Sequence, residues 1–338
     1  MQSLTQHITA GHDLAPAQIE QAVAALISAD VRAEGKMDFL KALRVKGETA
    51  GELAGFANSL LKHAVTPVLD RSALAGPTLD VCGTGGDKQG FFNVSTTVMF
   101  VAAAAGACVM KHGNRSVTSK TGAADVLEEL GVKIDLNPEQ LREALERHGV
   151  AFIFARTYHP AFAAIGPVRA ALAKEGFSTI FNLLGPLLNP AQPDFQLVGT
   201  YSADLLPTYA AALRTLGRKG AWAVHGNGTD ELTLTGPSHI AGISGESFTI
   251  NPLDLGLAEC APSDLLGGER AENAQIVTSI LDRSDRGHRR NMVLLNTGAA
   301  LTVAGIAPDI ASGIAKAAEA IDSGAALAKL VALRAMFR

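Results

Sequence analysis

The run Asp80-Val-Cys-Gly-Thr-Gly-Gly-Asp87, followed six residues on by Asn93-Val-Ser-Thr-Thr97, leaves this part of the chain few ways to fold. Leu79 to Cys82 reads as the end of a buried strand. Gly83, Gly85 and Gly86 then remove Cβ atoms from a tight turn, and an apolar helix is predicted from about Thr96 to Ala107. A strand, a glycine turn and a helix N-terminus together present backbone N–H groups to an anion, phosphate above all. Asp87 places a carboxylate beside that cradle, which points to a bound Mg²⁺ or a ribose hydroxyl. The spacing fits neither Gly-x-Gly-x-x-Gly nor Gly-x-x-x-x-Gly-Lys-Ser/Thr, so the expected ligand is phosphorylated but is neither a dinucleotide nor a P-loop nucleotide.

The rest of the chain has two textures. From Pro16, a residue suited to a first helical turn, to about His63 the pattern is helical throughout: Val23, Leu26 and Ile27, then Phe39, Leu40 and Leu43, then Leu53, Phe56 and Leu60 recur at three- and four-residue spacing. From Thr78 onward short apolar runs alternate with helical stretches: Leu79–Cys82, Ala107–Met110, Ile134, Ala151–Phe154, Gln196–Thr200 and Ala221–Val224. That alternation predicts an α/β domain around a largely parallel sheet, with ligands bound at the C-terminal strand ends. Leu232–Thr235 and Phe248–Ile250 read as shorter, antiparallel strands.

Composition excludes several classes. At 338 residues, 47% hydrophobic and 18% charged, the chain can bury a large core plus a small one, and it is not disordered. A net charge of −4 argues against broad nucleic-acid binding. Cys82, Cys108 and Cys260 lack metal-type spacing and read as reduced residues of a cytosolic protein. No run of 18 apolar residues occurs and Met-Gln-Ser-Leu-Thr-Gln-His has no basic stretch before an apolar core, so neither membrane insertion nor secretion is expected.

Two further constellations carry chemistry. Lys111-His-Gly-Asn-Arg-Ser-Val-Thr-Ser-Lys-Thr-Gly122 reads as a loop at a strand end, its cations and hydroxyls suited to phosphate or pyrophosphate oxygens. The following Ala124–Leu130 reads as an amphipathic helix with Asp125, Glu128 and Glu129 turned to solvent. Val224-His-Gly-Asn-Gly-Thr-Asp-Glu231 ends a strand with adjacent carboxylates, which beside two phosphate-type loops form a plausible Mg²⁺ site.

These motifs in series resemble the anthranilate phosphoribosyltransferases: Gly-Thr-Gly-Gly-Asp (83–87), Asn-Val-Ser-Thr (93–96), Lys-His-Gly-Asn-Arg (111–115), Tyr-His-Pro (158–160), Thr-Ile-Phe-Asn-Leu-Leu-Gly-Pro-Leu-Leu-Asn-Pro (179–190) and Asp-Glu (230–231). Leu43-Arg-Val-Lys-Gly-Glu-Thr49 and Gly267-Gly-Glu-Arg-Ala-Glu-Asn-Ala274 extend the match toward both ends. The resemblance implies an α/β protein of the nucleoside phosphorylase/phosphoribosyltransferase type. Its small all-helical domain would span 1–70, completed by about 163–188, and its larger α/β catalytic domain, with a mainly parallel central sheet, would span 71–162 and 189–338. It implies transfer of the phosphoribosyl group of phosphoribosyl pyrophosphate to anthranilate, as in tryptophan biosynthesis, with Mg²⁺ as cofactor and a cytoplasmic homodimer formed through the helical part.

Carried over by motif, Gly83, Gly86, Asp87, Asn93, Val94, Ser95, Thr96, Lys111, Gly113 and Ser119 would bind phosphoribosyl pyrophosphate. Ser95, Asp230 and Glu231 would meet Mg²⁺. Asn114 and Arg169 would hold anthranilate, with His112, Tyr158 and Pro160 nearby. The chain also departs from the family pattern. Lys88 and Phe91 replace glycine and a small hydroxyl residue, Ala123 replaces a serine, Ala173-Lys-Glu175 is inserted, and Ser178 replaces an arginine. Losing two hydroxyls costs roughly 1–3 kcal/mol of binding unless Lys88 compensates. Three other readings stay compatible with the residues: a transferase for another aromatic amine, a pyrimidine nucleoside phosphorylase, and a non-catalytic binding relative.

Overall fold

The computed structural model describes residues 1–87, 89–116 and 121–337. The N-terminal part holds α1 (Gln2–Thr9), α2 (Pro16–Ile27), α3 (Ala33–Lys46) and α4 (Ala50–Leu61). The start of α4 is dictated by Thr49 and Glu52: the Thr49 hydroxyl accepts the Glu52 N–H at 3.2 Å, and Glu52 Oε2 accepts the Thr49 N–H at 2.9 Å. Glu52 is buried, and Lys46 Nζ (2.8 Å) and the Leu14 N–H (3.0 Å) complete its hydrogen bonding.

The sheet is built from β1 (Thr78–Gly83), β2 (Cys108–Gly113), β3 (Val150–Phe154), β4 (Phe195–Gly199), β5 (Gly220–Gly226), β6 (Ser238–Gly242) and β7 (Ser247–Ile250), in the order β3-β2-β1-β4-β5-β6-β7. The first five run parallel; β6 and β7 add antiparallel edges. Between and after the strands come α5 (Val94–Ala104), α6 (Ala123–Glu129), α7 (Pro138–His148), α8 (Ala155–Tyr158), α9 (Gly166–Lys174), α10 (Phe181–Leu184), α11 (Leu206–Thr215), α12 (Arg270–Leu281), α13 (His288–Val303), α14 (Ile310–Asp322) and α15 (Ala325–Met336).

Two apolar cores share the strands. Leu197 and Val224 enter a core with α5, α13 and α15, whereas Val198 and Ala223 enter a second core. That second core joins Phe39, Leu43 and Phe56 of the N-terminal helices to Leu172, Leu184 and Tyr209. Successive side chains on a strand face opposite ways, so β4 lies between the two cores. Among the described residues no helix is long and apolar enough to cross a membrane.

Two strand expectations are corrected. Leu232–Thr235 forms no strand, because side chains occupy its backbone: the Asn296 amide accepts the Leu232 N–H (3.0 Å) and donates to its carbonyl (2.7 Å), and Ser238 Oγ accepts the Thr233 N–H (3.0 Å). The antiparallel partner of β5 is instead Ser238–Gly242. Ile134 is also outside the sheet; Val132, Ile134 and Leu136 are buried like alternate strand residues, but their backbone joins no ladder.

Candidate phosphate and acceptor site

The C-terminal ends of β1, β2, β4 and β5 converge on the glycine turn. Gly83 and Gly199 end adjacent strands because Asp230 lies against both: a Cβ on Gly83 would fall 2.2 Å from Asp230 Oδ2, and one on Gly199 1.5 Å from its carbonyl oxygen. Gly85 and Gly86 then turn the chain with φ of 68° and 84°. The Gly85 N–H donates to Asp230 Oδ2 at 2.7 Å. Asp87 receives the Thr229 hydroxyl at 2.7 Å, and Gln89 Nε2 donates to the Gly228 carbonyl at 3.2 Å. The two sequence loops thus form one structure.

Helix α5 starts at Val94, two residues before the predicted Thr96, with Asn93 at its N-cap. Glu231 Oε1 accepts the Ser95 N–H at 3.2 Å. Val94 is buried in the core, while the Thr96 hydroxyl and Asn93 Oδ1 are buried without partners among the described residues. Unpartnered oxygens at a helix N-terminus call for a ligand or water. Burial, then repulsion from Asp87, raises the pKa of Asp230; burial, then repulsion from Asp230, raises that of Glu231. A divalent cation beside this pair would relieve both effects. Among the described residues no three His, Cys, Asp or Glu side chains form a metal cluster. Mg²⁺ does not require one, since it is usually held by one or two carboxylates with substrate phosphates and water completing its shell.

The second constellation is corrected in three respects. Lys111, His112 and Gly113 belong to β2, because pairing with β3 continues to Gly113 and Phe154. Lys111 is buried, its Nζ donating to the Val81 carbonyl (2.5 Å) and to Ser95 Oγ (3.1 Å). The Arg115 guanidinium is not a free cation, because Asp125 and Glu128 hold it. Asp125 is not solvated: it is buried and accepts the Ser116 and Gly122 N–H groups (3.2 and 3.0 Å), with Arg115 and Arg270 on its other oxygen. Asn114 is exposed and accepts the Arg115 N–H at 2.8 Å. Lys88 and Ser119 lie outside the described residues.

Two of the proposed acceptor residues, His112 and Arg169, are linked by a line of rings. His112 Nδ1 contacts the Gly185 carbonyl at 3.2 Å, and its buried Nε2 has no partner among the described residues. His159 lies edge-on to it at 5.4 Å and stacks on Phe162 at 5.2 Å. Phe162 meets Phe181 edge-on at 5.6 Å, and the Arg169 guanidinium covers Phe181 at 5.2 Å. No carboxylate pairs with Arg169 among the described residues, and burial lowers its pKa. Pro160 is exposed and opens a short turn, Pro160–Ala164. Tyr158 is fully buried with its hydroxyl on the Leu136 carbonyl, so here it packs and anchors. Sequence reasoning missed Gly199 and Thr229; the only signal for Gly199 was a glycine ending an apolar run.

Of the departures, Phe91 and Glu175 have local partners, and nothing among the described residues explains Ala123 or Ser178. Phe91 bridges to Leu266, between the Phe92 N–H bond to Leu265 and the Gly267 N–H bond to Gly90. Ala123 opens α6. The inserted Glu175 pairs with Lys41 of α3 at 2.6 Å, and Ser178 is exposed.

Residues 2–64 match the helical bundle domain of a glycosyl transferase family, and residues 75–327 match its a/b domain. An anthranilate phosphoribosyltransferase of Rubrobacter xylanophilus is 45% identical over 325 residues, covering 95% of this chain and 93% of the relative. This chain belongs to the anthranilate phosphoribosyltransferase family. The family member of Haloferax volcanii is 43% identical over 338 residues, with 99% of each chain covered. The crystal structure of anthranilate phosphoribosyltransferase from Thermus thermophilus superposes with a TM-score of 0.92 at 37% identity, covering 98% of each chain. The anthranilate phosphoribosyltransferase of Saccharomyces cerevisiae in complex with PRPP and Mg superposes with a TM-score of 0.90 at 28% identity, covering 99% of this chain and 96% of that one.

Proposed function

We infer that this chain transfers the phosphoribosyl group of phosphoribosyl pyrophosphate to anthranilate, releasing pyrophosphate. The observation that carries the reading is the joining of two anion-binding turns by adjacent carboxylates: Asp230 on the Gly85 N–H and Glu231 on the Ser95 N–H, with the Lys111 ammonium on Ser95 Oγ. Backbone N–H groups, a buried cation and a carboxylate pair suit a pyrophosphate that arrives with a divalent ion. Asp230 and Glu231, with Ser95, would hold Mg²⁺, which supplies charge neutralisation for the leaving pyrophosphate.

In the reaction the C1′–oxygen bond to pyrophosphate breaks, the anthranilate nitrogen bonds to C1′, and the surplus amine proton leaves to solvent. Positive charge builds on the ribosyl ring and negative charge on the leaving group, so fixed charges at the pyrophosphate are the main demand. Lys111 and the α5 N-terminus meet it. An arylamine is neutral at pH 7 and needs no strong base, so orientation of the acceptor supplies much of the rest. Arg169, without a carboxylate partner among the described residues, would pair with the anthranilate carboxylate while Asn114 and His112 flank the ring.

The same reading places a helical domain at 1–70, completed near 163–188, and joins two copies through it, with the exposed Val45 of α3 in the contact. Three free cysteines accord with the cytoplasm. The deciding experiment follows the loss of anthranilate fluorescence with phosphoribosyl pyrophosphate and Mg²⁺, beside other aromatic amines. Turnover of another amine alone overturns the acceptor assignment. Absence of turnover with every amine leaves the non-catalytic relative.

A further inference from the structure

Strands β1 and β2 pair at Thr78↔Cys108 and Leu79↔Val109, where their ladder ends. Each keeps its other neighbour: β1 stays on β4 to Gly83↔Gly199, and β2 stays on β3 to Gly113↔Phe154. The ladder is thus interrupted in the middle of the sheet, and the backbone groups beyond it need other partners. Side chains supply them. Lys111 Nζ donates to the Val81 carbonyl at 2.5 Å. Asp80 Oδ1 accepts the His112 N–H at 3.1 Å. Asn189 Nδ2 donates to the Met110 carbonyl at 2.8 Å and to Asp80 Oδ2 at 2.9 Å. Asp80 and Asn189 are fully buried and Lys111 nearly so.

A buried carboxylate in a central strand is costly unless it is hydrogen-bonded and faces positive charge. Asp80 has both, since Lys111 is the first of the groups that offset its burial. Asp80 therefore fixes the backbone of the residue that follows Lys111, and its charge opposes that of the ammonium. We propose that Asp80 is a positioning residue for Lys111: by bridging β1 and β2 beyond the end of their ladder it holds the ammonium beneath Ser95, where the pyrophosphate would bind. The proposal rests on the phosphoribosyl pyrophosphate reading above.

The test is a double-mutant cycle read by calorimetric titration with phosphoribosyl pyrophosphate and Mg²⁺, a measurement that needs no turnover. Asp80→Asn keeps one acceptor but sets an amide N–H₂ against the Asn189 donor. It should weaken binding about tenfold to a hundredfold, the range for a lost hydrogen bond to a charged group. Lys111→Met should weaken it similarly, and the double variant should bind no worse than Lys111→Met alone. A general structural defect would lower affinity by the same factor in both backgrounds, and that result, or unchanged affinity in Asp80→Asn, overturns the proposal. Should Asp80→Asn not fold, Asn189→Ala carries the same cycle, because it removes the shortest bond to Asp80 Oδ2, which Cys82 Sγ and Gln196 Nε2 reach only at 3.5 Å, and the amide on the Met110 carbonyl, while keeping the carboxylate. Wild-type protein that binds no phosphoribosyl pyrophosphate overturns the proposed function and this role with it; binding with additive losses overturns the role alone.

Discussion

Gly199 and Asp230 are packed so closely that a Cβ on the glycine would lie 1.5 Å from the aspartate carbonyl oxygen. The obstacle is backbone, so no rotamer change relieves it. Gly199→Ala should push the 230–231 segment away from the glycine turn and lower stability by about 1–3 kcal/mol, the usual range for overpacking. Turnover should fall further than stability explains. Urea melts beside turnover on the same sample check this, and a variant with native activity would show that the contact does not position the carboxylates.

The carboxylate pair should show a conflict between function and stability. Folded-state pKa values raised above those of the unfolded chain give a stability contribution that is full below the unfolded carboxylate range, about pH 4, and lost as the pH rises through the folded values. Asp230→Asn combined with Glu231→Gln should therefore raise the Tm at pH 8 without Mg²⁺. Turnover should drop by at least about tenfold through loss of charge stabilisation at the leaving group. Near-normal activity at limiting Mg²⁺ would remove the metal role.

Arg169 and Lys111 should separate the two substrates. Charge-assisted pairs contribute about 1.5–3 kcal/mol, or roughly tenfold to over a hundredfold in binding. Arg169→Ala should raise the KM for anthranilate far more than that for phosphoribosyl pyrophosphate, and Lys111→Ala should do the reverse. Initial rates over a grid of both substrates decide it. If Arg169→Ala moves neither constant, the acceptor does not use this arginine.

Acid stability should depend on His112. Burial, with His159 second, pushes its imidazole down to about 3, whereas an unfolded histidine titrates near 6.5. Between those values the unfolded chain binds the extra proton, so stability falls as the pH drops through that window and is complete above it. The slope from this group is about 1.4 kcal/mol per pH unit. His112→Gln should flatten the acid limb of unfolding free energy between pH 6 and pH 4. An unchanged slope would assign acid sensitivity elsewhere.

The parallel strands, the N-terminal helices and the glycine turn were legible because apolar period and turn chemistry are local properties. The failures were long-range. Leu232–Thr235 has a strand's composition, but Asn296, 64 positions away from Leu232, occupies its backbone. Asp125 sits on a helix surface by sequence pattern, and only the fold brings Arg115 and Arg270 to it. The residue type of Lys111 suggests a phosphate ligand, but its burial under Ser95 depends on where the β1–β2 ladder ends. Ser119 falls outside the described residues and has no place in this comparison.

The alternation of β4 side chains between two cores makes that strand a wall common to both halves of the molecule. Leu197 packs with one half and Val198 with the other. Neither half can lose its core without stripping one face of a strand the other still needs, so the helical bundle and the sheet should melt together as a single cooperative unit. Calorimetry should record one endotherm whose van't Hoff and calorimetric enthalpies agree, and two resolved transitions would show that the wall can be breached from one side.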